Sequence, residues 1–589
     1  MSTPRNDAAD HRPTALPSDV PAAALIAGLL SLAALRLLAA LVPGAWAWGA
    51  DLGRWLPPAQ GVPALALMLL ALVPVPASVL AARMAAATRV AARHRTAASL
   101  LIAGAAALLV WALQDRTLFL GDFALRTGTI ERGADVRRLF PQAMPLDLLA
   151  HVWLPEWLSR IAPIGPATSQ RLLGALCSAL LALAALETAR SLDARGAAAP
   201  AVAAAVWAGG SLSLFTGYGK GVAELTAFTG LAAAAGWRAV RNARALPLVA
   251  LAASLAMGFH RAGILLLPLA VVVLALAWHG VRPRDRALAI GMLAAALAIF
   301  GPRIADLLVH FDLPHHLARP VFGDALPSYG WLRVCDLANA AILLAPLSPL
   351  ALALLPTWAK ASRRERWVLL ALLVPALMLF FAVRPQQGVF RDLDVFAPGA
   401  VTLSVVVACG LSRFLAGAPA RAALAPGIAL AALVPAALWL GLLHQPRYSL
   451  PRIEAFVTGP PLRPAAERAS IWDFLGTRAL AEHRAADAVR AYARAADAAE
   501  SPRLLYQWGA AETMLGNGAR ADSLFRCSVS RDPDFAPAWR GLASTASWIG
   551  DTLTCAQAER RLTRLDPSAP ELPALRNFLA RSRAPGGGR

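Results

Sequence analysis

Apolar runs of about 20 residues recur through the first three quarters of this 589-residue chain. Each run is long enough to cross a lipid bilayer as a helix. Helix is the expected state, because lipid offers no hydrogen-bond partner to an open strand edge. Only 16% of residues are charged, whereas soluble domains contain about 25%. The sequence therefore predicts an all-α polytopic transmembrane helix bundle of about thirteen spans, near 21–43, 61–83, 96–113, 170–188, 198–215, 220–237, 245–259, 262–278, 286–302, 335–356, 367–383, 395–412 and 422–443.

The first apolar run, Pro21 to Pro43, ends near Ala45 and Ala47, where a signal peptidase could cut. The run is longer than a typical signal-peptide core, and further spans follow it. It is therefore interpreted as a retained helix after a cytoplasmic N-terminal tail, residues 1–20. The multi-span membrane domain then covers residues 21–443.

The net charge is +20, which in a soluble protein would suggest nucleic-acid binding. Here the arginines concentrate in alternate short loops between the predicted spans, a pattern that marks the cytoplasmic side and contacts anionic headgroups. The expected partner is thus the lipid bilayer and not nucleic acid. This alternation predicts a cytoplasmic N-terminus and an external C-terminus, as in a bacterial inner-membrane protein with a periplasmic tail.

The predicted topology places the charged loop Arg116–Gln142 on the external side. Four other polar segments fall on the same side, and this convergence indicates a site. They are "TGYGKG" (216–221), "FHRAG" (259–263), the loop 303–334 with several histidines, and "RPQQGVFRDLD" (384–394).

The segment 143–161 carries Leu146, Leu149, Trp153, Trp157, Leu158 and Ile161 at helical spacing, with Asp147, His151 and Arg160 elsewhere on the wheel. Such a pattern is typical of a helix in the membrane interface. Pro155 is expected to divide the segment into two short helices.

The composition changes at about Ala469, where a repeat begins. Three units align, with Trp472, Gly476 and Tyr492 in the first, Trp508, Gly509 and Phe525 in the second, and Trp539 in the third, and Pro533 and Pro567 stand in equivalent positions. This pattern resembles tetratricopeptide repeats. The resemblance implies an α-solenoid over residues 469–583, after a linker (444–468) and before a flexible tail (584–589), with a groove for a protein or peptide partner. Cys527 and Cys555 fall in adjacent repeats, as a disulfide pair or as two buried small residues.

The region from about Thr96 to Leu443 resembles the GT-C class of membrane glycosyltransferases. The resemblance rests on "LFLGDFALR" with Asp122 just beyond a span, the external loop 114–169 with its interfacial segment, and "SQRLLGAL" with Arg171 opening the next span. It implies transfer of a sugar from a polyprenyl-phosphate carrier to an acceptor on the external face, with no cofactor beyond that lipid-linked donor.

The same resemblance implies that Asp122 is the catalytic base. The family often has two adjacent acids here, whereas this chain has Gly121, Asp122 and Phe123. A second acid could be Glu131, Asp135 or Asp147. Arg126, Arg132, Arg137 and Arg138 are expected to keep Asp122 ionised or to contact phosphate.

Cations at the outer span ends should stabilise the carrier phosphate as it leaves. The candidate substrate-binding residues are Lys220, His260, Arg261, Arg384, Arg391 and Asp392. Each has a structural alternative: an interface anchor at Lys220, a chain break at His260 and Arg261, and a local ion pair in "RDLD". Glu224 should face the bundle interior and could pair with Lys220. Asp312 with His315 and His316 lacks the spacing of a helical metal site, and a solvated loop is the preferred interpretation.

Two other functions stay open from the sequence. The membrane domain could anchor a non-enzymatic repeat scaffold, or it could be an oligosaccharide ligase or polymerase. Asp122 near Lys220, Arg261 and Arg391 would favour the transferase, and dispersal of these residues would favour the scaffold.

Overall fold

A computed structural model describes residues 22–131, 136–317 and 330–583. These residues form helices and contain no strand. They divide into two compact units. The first, the membrane unit, comprises residues 1–385 and 392–449, and the second, the hairpin unit, comprises 386–391 and 450–589, each within the described ranges.

The membrane unit is built from helices joined by short turns. Its principal helices are α1 (Ala22–Leu41), α2 (Pro58–Leu70), α3 (Pro74–Arg93), α4 (Arg95–Ala112), α5 (Phe123–Glu131), α6 (Leu154–Ile161), α7 (Pro166–Ser191), α8 (Ala198–Trp207), α9 (Val222–Arg241), α10 (Leu246–Phe259), α11 (Leu267–Ala277), α12 (Pro283–Leu307), α13 (Trp331–Leu344), α14 (Ala351–Ala359), α15 (Arg363–Ala382), α16 (Ala397–Ala416) and α17 (Ala425–His444).

Seven helices in the described residues are long and apolar enough to cross a membrane, or up to ten if each bent pair forms one span. The protein is thus a multi-pass membrane protein by the length and composition of its helices. The predicted count of thirteen is not confirmed. Two of the predicted spans are shorter apolar helices, Ala243–Phe259 and Arg261–Ala277.

Three predicted spans are bent where Pro or Gly interrupts the helix. The axes of α2 and α3 differ by 88°, and the break at residues 345–347 bends the chain by 105° between α13 and Ser348–Ala359. Pro74 opens α3, and Pro346 and Pro349 flank the second break. Proline removes a backbone donor and clashes with the preceding turn, so the helix ends there. The third bend, of 63°, follows α8 at Gly209 and Gly210.

The helical segment Pro145–Ile161, which ends with α6, reverses the burial that a soluble helix would show. Its polar residues Asp147 and His151 are buried, whereas Trp153, Trp157 and Ile161 are exposed. Exposed aromatic and aliphatic side chains suit contact with the membrane interface.

The expected break at Pro155 is absent, and this prediction was wrong. Helix runs without interruption from Pro145 to Ile161, because a π-helical turn at Leu149–Trp153 shifts the hydrogen-bond register just before the proline. Pro155 then falls in the first turn of α6, where its missing N–H leaves no helical bond unmade.

The hairpin unit consists of three consecutive helical hairpins and a closing helix. A helix at Pro446–Thr458 (α18) crosses into this unit, within the stretch predicted as a linker. The hairpins and the closing helix are α19 (Ala465–Ala481) with α20 (Ala485–Ala498), α21 (Pro502–Met514) with α22 (Gly518–Arg531), α23 (Ala536–Ile549) with α24 (Thr552–Leu565), and α25 (Glu571–Arg583).

Each hairpin turns at one residue with positive φ. These residues are His483 (φ 58°), Gly516 (φ 80°) and Gly550 (φ 81°), each just beyond its first helix. Glycine adopts this left-handed conformation without steric cost, which explains two of the three choices. The positive-φ residues lie 33 and 34 positions apart, close to the 34 positions between Pro533 and Pro567 in the sequence. The three turns thus fall at equivalent places in their hairpins.

Small residues let the helices of a hairpin approach closely. The ring of Tyr492 packs over Gly476, and the ring of Phe525 packs over Gly509, where an added Cβ would lie 2.6 Å from the ring. Cys527 and Cys555 are free thiols. Burial of Cys555 and the neighbouring Asp551 carboxylate raise the pKa of that thiol.

The segment 386–391 belongs to the hairpin unit, although it lies between α15 and α16 in the chain. Phe390 stacks on Phe456 with ring centroids 4.0 Å apart. The guanidinium groups of Arg452 and Arg463 lie over the Phe390 and Phe456 rings. The hairpin unit is therefore discontinuous in sequence, which the predicted boundary at residue 469 did not include.

Replacing Trp539 with Ala should strongly destabilise the hairpin unit. Trp539 is 7% exposed, and its indole N–H donates to the carbonyl of Pro533 at 2.7 Å. Loss of this buried ring should lower the free energy of unfolding by about 3–5 kcal/mol. Urea unfolding of a fragment covering 450–589, followed by circular dichroism, measures the change.

Trp548→Ala is the matched control, because Trp548 is 66% exposed. It should change the free energy of unfolding by less than about 0.5 kcal/mol. Equal effects of the two substitutions would contradict the packing described for Trp539.

Candidate active site

The turn before α5 brings Asp122 to the "TGYGKG" loop. Gly121 has φ +46°, and an added Cβ would lie 2.6 Å from the Tyr218 hydroxyl and 2.9 Å from Oδ1 of Asp394. Only glycine fits this conformation and this space. The Phe123 ring packs edge-on against Tyr218, with centroids 5.1 Å apart. The backbone N–H of Asp122 donates to the Tyr218 hydroxyl at 3.3 Å.

Lys220 joins two carboxylates that are far apart in the sequence. Its Nζ lies 3.2 Å from Oδ2 of Asp122 and 3.2 Å from Oδ2 of Asp394. Tyr218 donates its hydroxyl hydrogen to the same Asp394 oxygen at 2.7 Å. We call Asp122, Tyr218, Lys220 and Asp394 the Lys220 cluster.

The Lys220 cluster has one cation for two carboxylates. Burial opposes the charge on Lys220, but the carboxylates of Asp394 and Asp122 outweigh it and raise the pKa of the ammonium group well above its ordinary value. Burial and the Asp394 carboxylate likewise raise the pKa of Tyr218. Lys220 therefore stays protonated and Tyr218 stays neutral at physiological pH.

The two acids differ in access to solvent. The side chain of Asp394 is 2% exposed, whereas that of Asp122 is 24% exposed. Oδ1 of Asp394 is buried and has no hydrogen-bond partner among the described residues. Asp122 is thus the carboxylate of the cluster that solvent can reach. Asp394 is buried and contacts both Lys220 and Tyr218.

Asp394 is the site residue that the sequence analysis missed. It was considered only as part of a local ion pair in "RDLD", and the second acid was sought at Glu131, Asp135 or Asp147. Asp135 and Arg132 lie outside the described residues, as do the side chains of Glu131, Arg137 and Arg138.

Arg126 and Asp147 belong to a second, buried ion cluster. The Nη2 of Arg126 lies 2.9 Å from both carboxylate oxygens of Asp147, and its Nε donates to the carbonyl of Gly219 at 2.7 Å. The backbone N–H of Gly221 also donates to Asp147, at 3.0 Å. Arg126 was expected to keep Asp122 ionised or to contact phosphate, but its guanidinium group is bonded to Asp147.

The same cluster contains Glu224. His151 Nε2 lies 3.3 Å from Oε2 of Glu224 and 3.9 Å from Oδ1 of Asp147. Glu224 is buried in the bundle as predicted, but its partner is His151, whereas Lys220 turns to the aspartates of the Lys220 cluster. We call Arg126, Asp147, His151 and Glu224 the Arg126 cluster.

His260 lies next to the "TGYGKG" loop, because Gly221 at the end of that loop packs directly against the carbonyl of Phe259. Burial and the charges of Arg261 and Lys220 lower the pKa of His260 well below its ordinary value. Its Nδ1 accepts a hydrogen bond from the backbone N–H of Ala262 at 3.2 Å. The proton of the neutral ring is therefore on Nε2.

Arg261 forms a bidentate pair with Asp312. Its Nε lies 2.5 Å from Oδ2 and its Nη2 lies 2.7 Å from Oδ1. A solvated loop was preferred to a metal site for Asp312 with His315 and His316; the side chains of both histidines lie outside the described residues. Asp312 instead lies in a π-helical segment, Leu308–Leu317, and pairs with Arg261.

The remaining candidates lie beside the segment 386–391 (Arg384 and Asp392) or at its end (Arg391). Arg384 follows the C-terminus of α15, and Asp392 is buried just before the 3₁₀ turn Leu393–Phe396. Arg391 belongs to the hairpin unit, where its Nη1 donates to the carbonyl and hydroxyl oxygens of Ser470 at 2.6 and 2.8 Å. Arg391 is thus held by the hairpin unit.

A small apolar pocket, about 30 Å³ in volume, lies between α9, the 3₁₀ turn Arg261–Leu266, α15 and α16. Leu225 and Thr229 line it one to three turns beyond Lys220, and Pro398 and Thr402 line it one to two turns beyond Asp394. The pocket therefore lies along the two helices that begin just after Lys220 and Asp394.

No protein-family model, curated protein or solved structure matches this chain. Its site is accordingly judged by its own geometry.

The Arg126 cluster should be essential for stability. Arg126→Met leaves the Asp147 carboxylate buried without its cation, which should lower the free energy of unfolding by about 3–5 kcal/mol. Adding Asp147→Asn removes that stranded charge and keeps an acceptor for the Gly221 N–H. Thermal unfolding of the detergent-solubilised protein should show a large fall in Tm for Arg126→Met and recovery of most of it in the double variant. Equal Tm values for the two variants would contradict this account.

Proposed function

We propose that this protein is a membrane glycosyltransferase that transfers a sugar from a polyprenyl-phosphate carrier to an acceptor on the external, periplasmic face of the bacterial inner membrane. The proposal assigns the chain to the GT-C class, with tetratricopeptide repeats in the hairpin unit. The observation that carries it is the Lys220 cluster, in which a solvent-accessible carboxylate is held by a cation and backed by a second, buried acid.

Asp122 has the position that a general base needs. It lies ten residues beyond the last residue of α4, a candidate span, and its side chain is accessible. Lys220 and the Tyr218 hydroxyl hold it in place without removing its charge. In the proposed reaction the acceptor hydroxyl gives its proton to Asp122 while its oxygen bonds to the anomeric carbon. The bond from that carbon to the phosphate oxygen breaks, and the electron pair leaves with the carrier phosphate.

The structure changes the role proposed for Lys220. Two carboxylates already neutralise its charge, so it is better suited to keeping Asp122 ionised and oriented than to binding phosphate. His260 can donate its Nε2–H to a phosphate oxygen, and Arg384 lies at the end of α15. Arg261 is engaged by Asp312, and Arg391 is engaged by Ser470, so each could contact phosphate only by sharing or exchanging its present partner.

A second candidate function is a membrane-anchored repeat scaffold without catalysis. The pairing of Arg261 with Asp312 favours it, because this cation is engaged by a carboxylate outside the Lys220 cluster. Three hairpins with equivalent turns suit the binding of a protein or peptide. An oligosaccharide ligase or polymerase has no such observation in its favour, since much of the loop 303–334 lies outside the described residues.

Asp122→Asn tests the assigned base. Asn keeps the shape and the hydrogen-bonding oxygen but cannot accept the proton, so transfer should fall by about 10²–10⁴-fold. Transfer of radiolabelled sugar from polyprenyl-phosphate donors in membranes containing the protein measures the rate. Asp306→Asn, a change at an exposed acid outside both clusters, is the matched control and should transfer like the wild type.

Near-normal transfer by Asp122→Asn would reject Asp122 as the base. Asp394→Asn then becomes the decisive variant, since Asp394 is the other acid of the Lys220 cluster. A wild-type protein that inserts normally and transfers none of the sugars offered would instead favour the scaffold function.

The proposed topology places the hairpin unit outside the cytoplasm. Alkaline phosphatase fused after Arg583 should therefore be active, because its disulfides form only in an oxidising compartment. A fluorescent reporter that folds only in the cytoplasm should stay dark at the same position. The reverse pair of results would overturn both the topology and the external site.

A further inference from the structure

Five large apolar side chains are exposed at the turns of the second and third hairpins. They are Met514, Leu515, Trp548, Ile549 and Leu553, each between 42% and 70% exposed. We call them the turn patch. Single exposed apolar residues are common on soluble proteins, whereas a group of this kind marks an interaction surface.

The two turns form one continuous surface. The ring of Trp548 lies beside Gly518, where an added Cβ would be 2.7 Å from its Cζ3 atom. Gly518 opens α22, directly after the turn that carries Met514 and Leu515. Trp548 therefore bridges the turn of the third hairpin to that of the second.

The first hairpin shows that the fold itself does not require apolar residues here. Before the positive-φ residue, the three hairpins have Glu482, Leu515 and Ile549 in equivalent positions. The first turn is ionic, since Glu482 pairs with Arg478 and Arg484 at 2.7 and 2.8 Å. The apolar character of the other two turns thus needs another reason.

The chain passes between the hairpin unit and helices of the membrane unit at three points. It enters this unit at residue 386, four residues after α15 ends, and leaves it at residue 391, two residues before the candidate span Leu393–Ala416. It enters again at residue 450, six residues after the candidate span Pro419–His444 ends. Such short tethers give the bilayer surface a high effective concentration around the hairpin unit.

We infer that the turn patch inserts into the interface of the bilayer that anchors the chain. Trp, Ile, Leu and Met are suited to that depth, where an indole places its ring among headgroups and aliphatic side chains reach the acyl boundary.

The insertion places the second and third hairpins against lipid and leaves the first turn in water. It does not depend on the proposed glycosyl transfer, since a scaffold anchored in the same way would use the same surface. It would limit how the repeat groove can present a partner relative to the membrane.

Site-specific photo-crosslinking in the intact, reconstituted protein tests the inference. A diazirine amino acid is placed at 549, 553 or, as the matched control, 482, and the protein is irradiated in phosphatidylethanolamine and phosphatidylglycerol vesicles. Mass spectrometry should find phospholipid adducts at 549 and 553 and only background at 482. All three positions are exposed and lie in or beside the turns, so the label should leave the hairpins folded, and an unchanged tryptic pattern checks this.

Three other outcomes would overturn the inference. Peptide adducts from a second copy at 549 and 553 would assign the turn patch to self-association. Adducts to another protein in native membranes, with none to lipid, would assign it to a protein partner. Water-quenched product alone at all three positions would show that the turn patch remains in solvent.

Discussion

The two ion pairs of Lys220 hold together the polar end of the membrane unit. A single ammonium group lies between Asp122 on the turn before α5 and Asp394 on the approach to α16. Both contacts form just before helices begin, so elements 272 positions apart in the chain meet at one atom. A carboxylate as buried as Asp394 would lose its charge or unfold its surroundings without such a partner.

The loop Gly217–Gly221 serves both ion clusters. Its side chains, from Tyr218 and Lys220, face the Lys220 cluster, whereas its backbone groups at Gly219 and Gly221 contact Arg126 and Asp147. Arg126 lies one turn after Asp122 on α5. The two clusters therefore share the same loop and the same short helix, so a substitution in one cluster should also perturb the other. The residues of the Arg126 cluster are buried, whereas Asp122 of the Lys220 cluster is accessible to solvent.

The hairpin unit follows a different physical rule. Its helices carry many charges, and it gains its stability from small residues that let Tyr492, Phe525 and Trp539 pack between hairpins. Its discontinuous segment 386–391 comes from the stretch that also carries Asp394. Only Asp392 and Leu393 separate Arg391, which is bonded to Ser470, from the buried acid of the Lys220 cluster. Along the chain, two residues therefore separate the hairpin unit from the Lys220 cluster.

The sequence by itself determined the helical class, the multi-pass character and the period of the hairpins. These properties follow from local composition and spacing, because a long apolar run needs lipid or a core and a repeated small–aromatic pattern needs a repeated contact. Asp122, Lys220 and the "TGYGKG" loop were also singled out, since several polar segments fall on the same predicted side of the membrane. Only the tertiary structure decided their partners. Asp394 instead of Asp147 completes the Lys220 cluster, Arg261 and Arg391 are bound elsewhere, and a π-turn lets the helix continue through Pro155. Partners 51 to 174 positions apart are chosen by how helices pack, and neither composition nor periodicity records that choice.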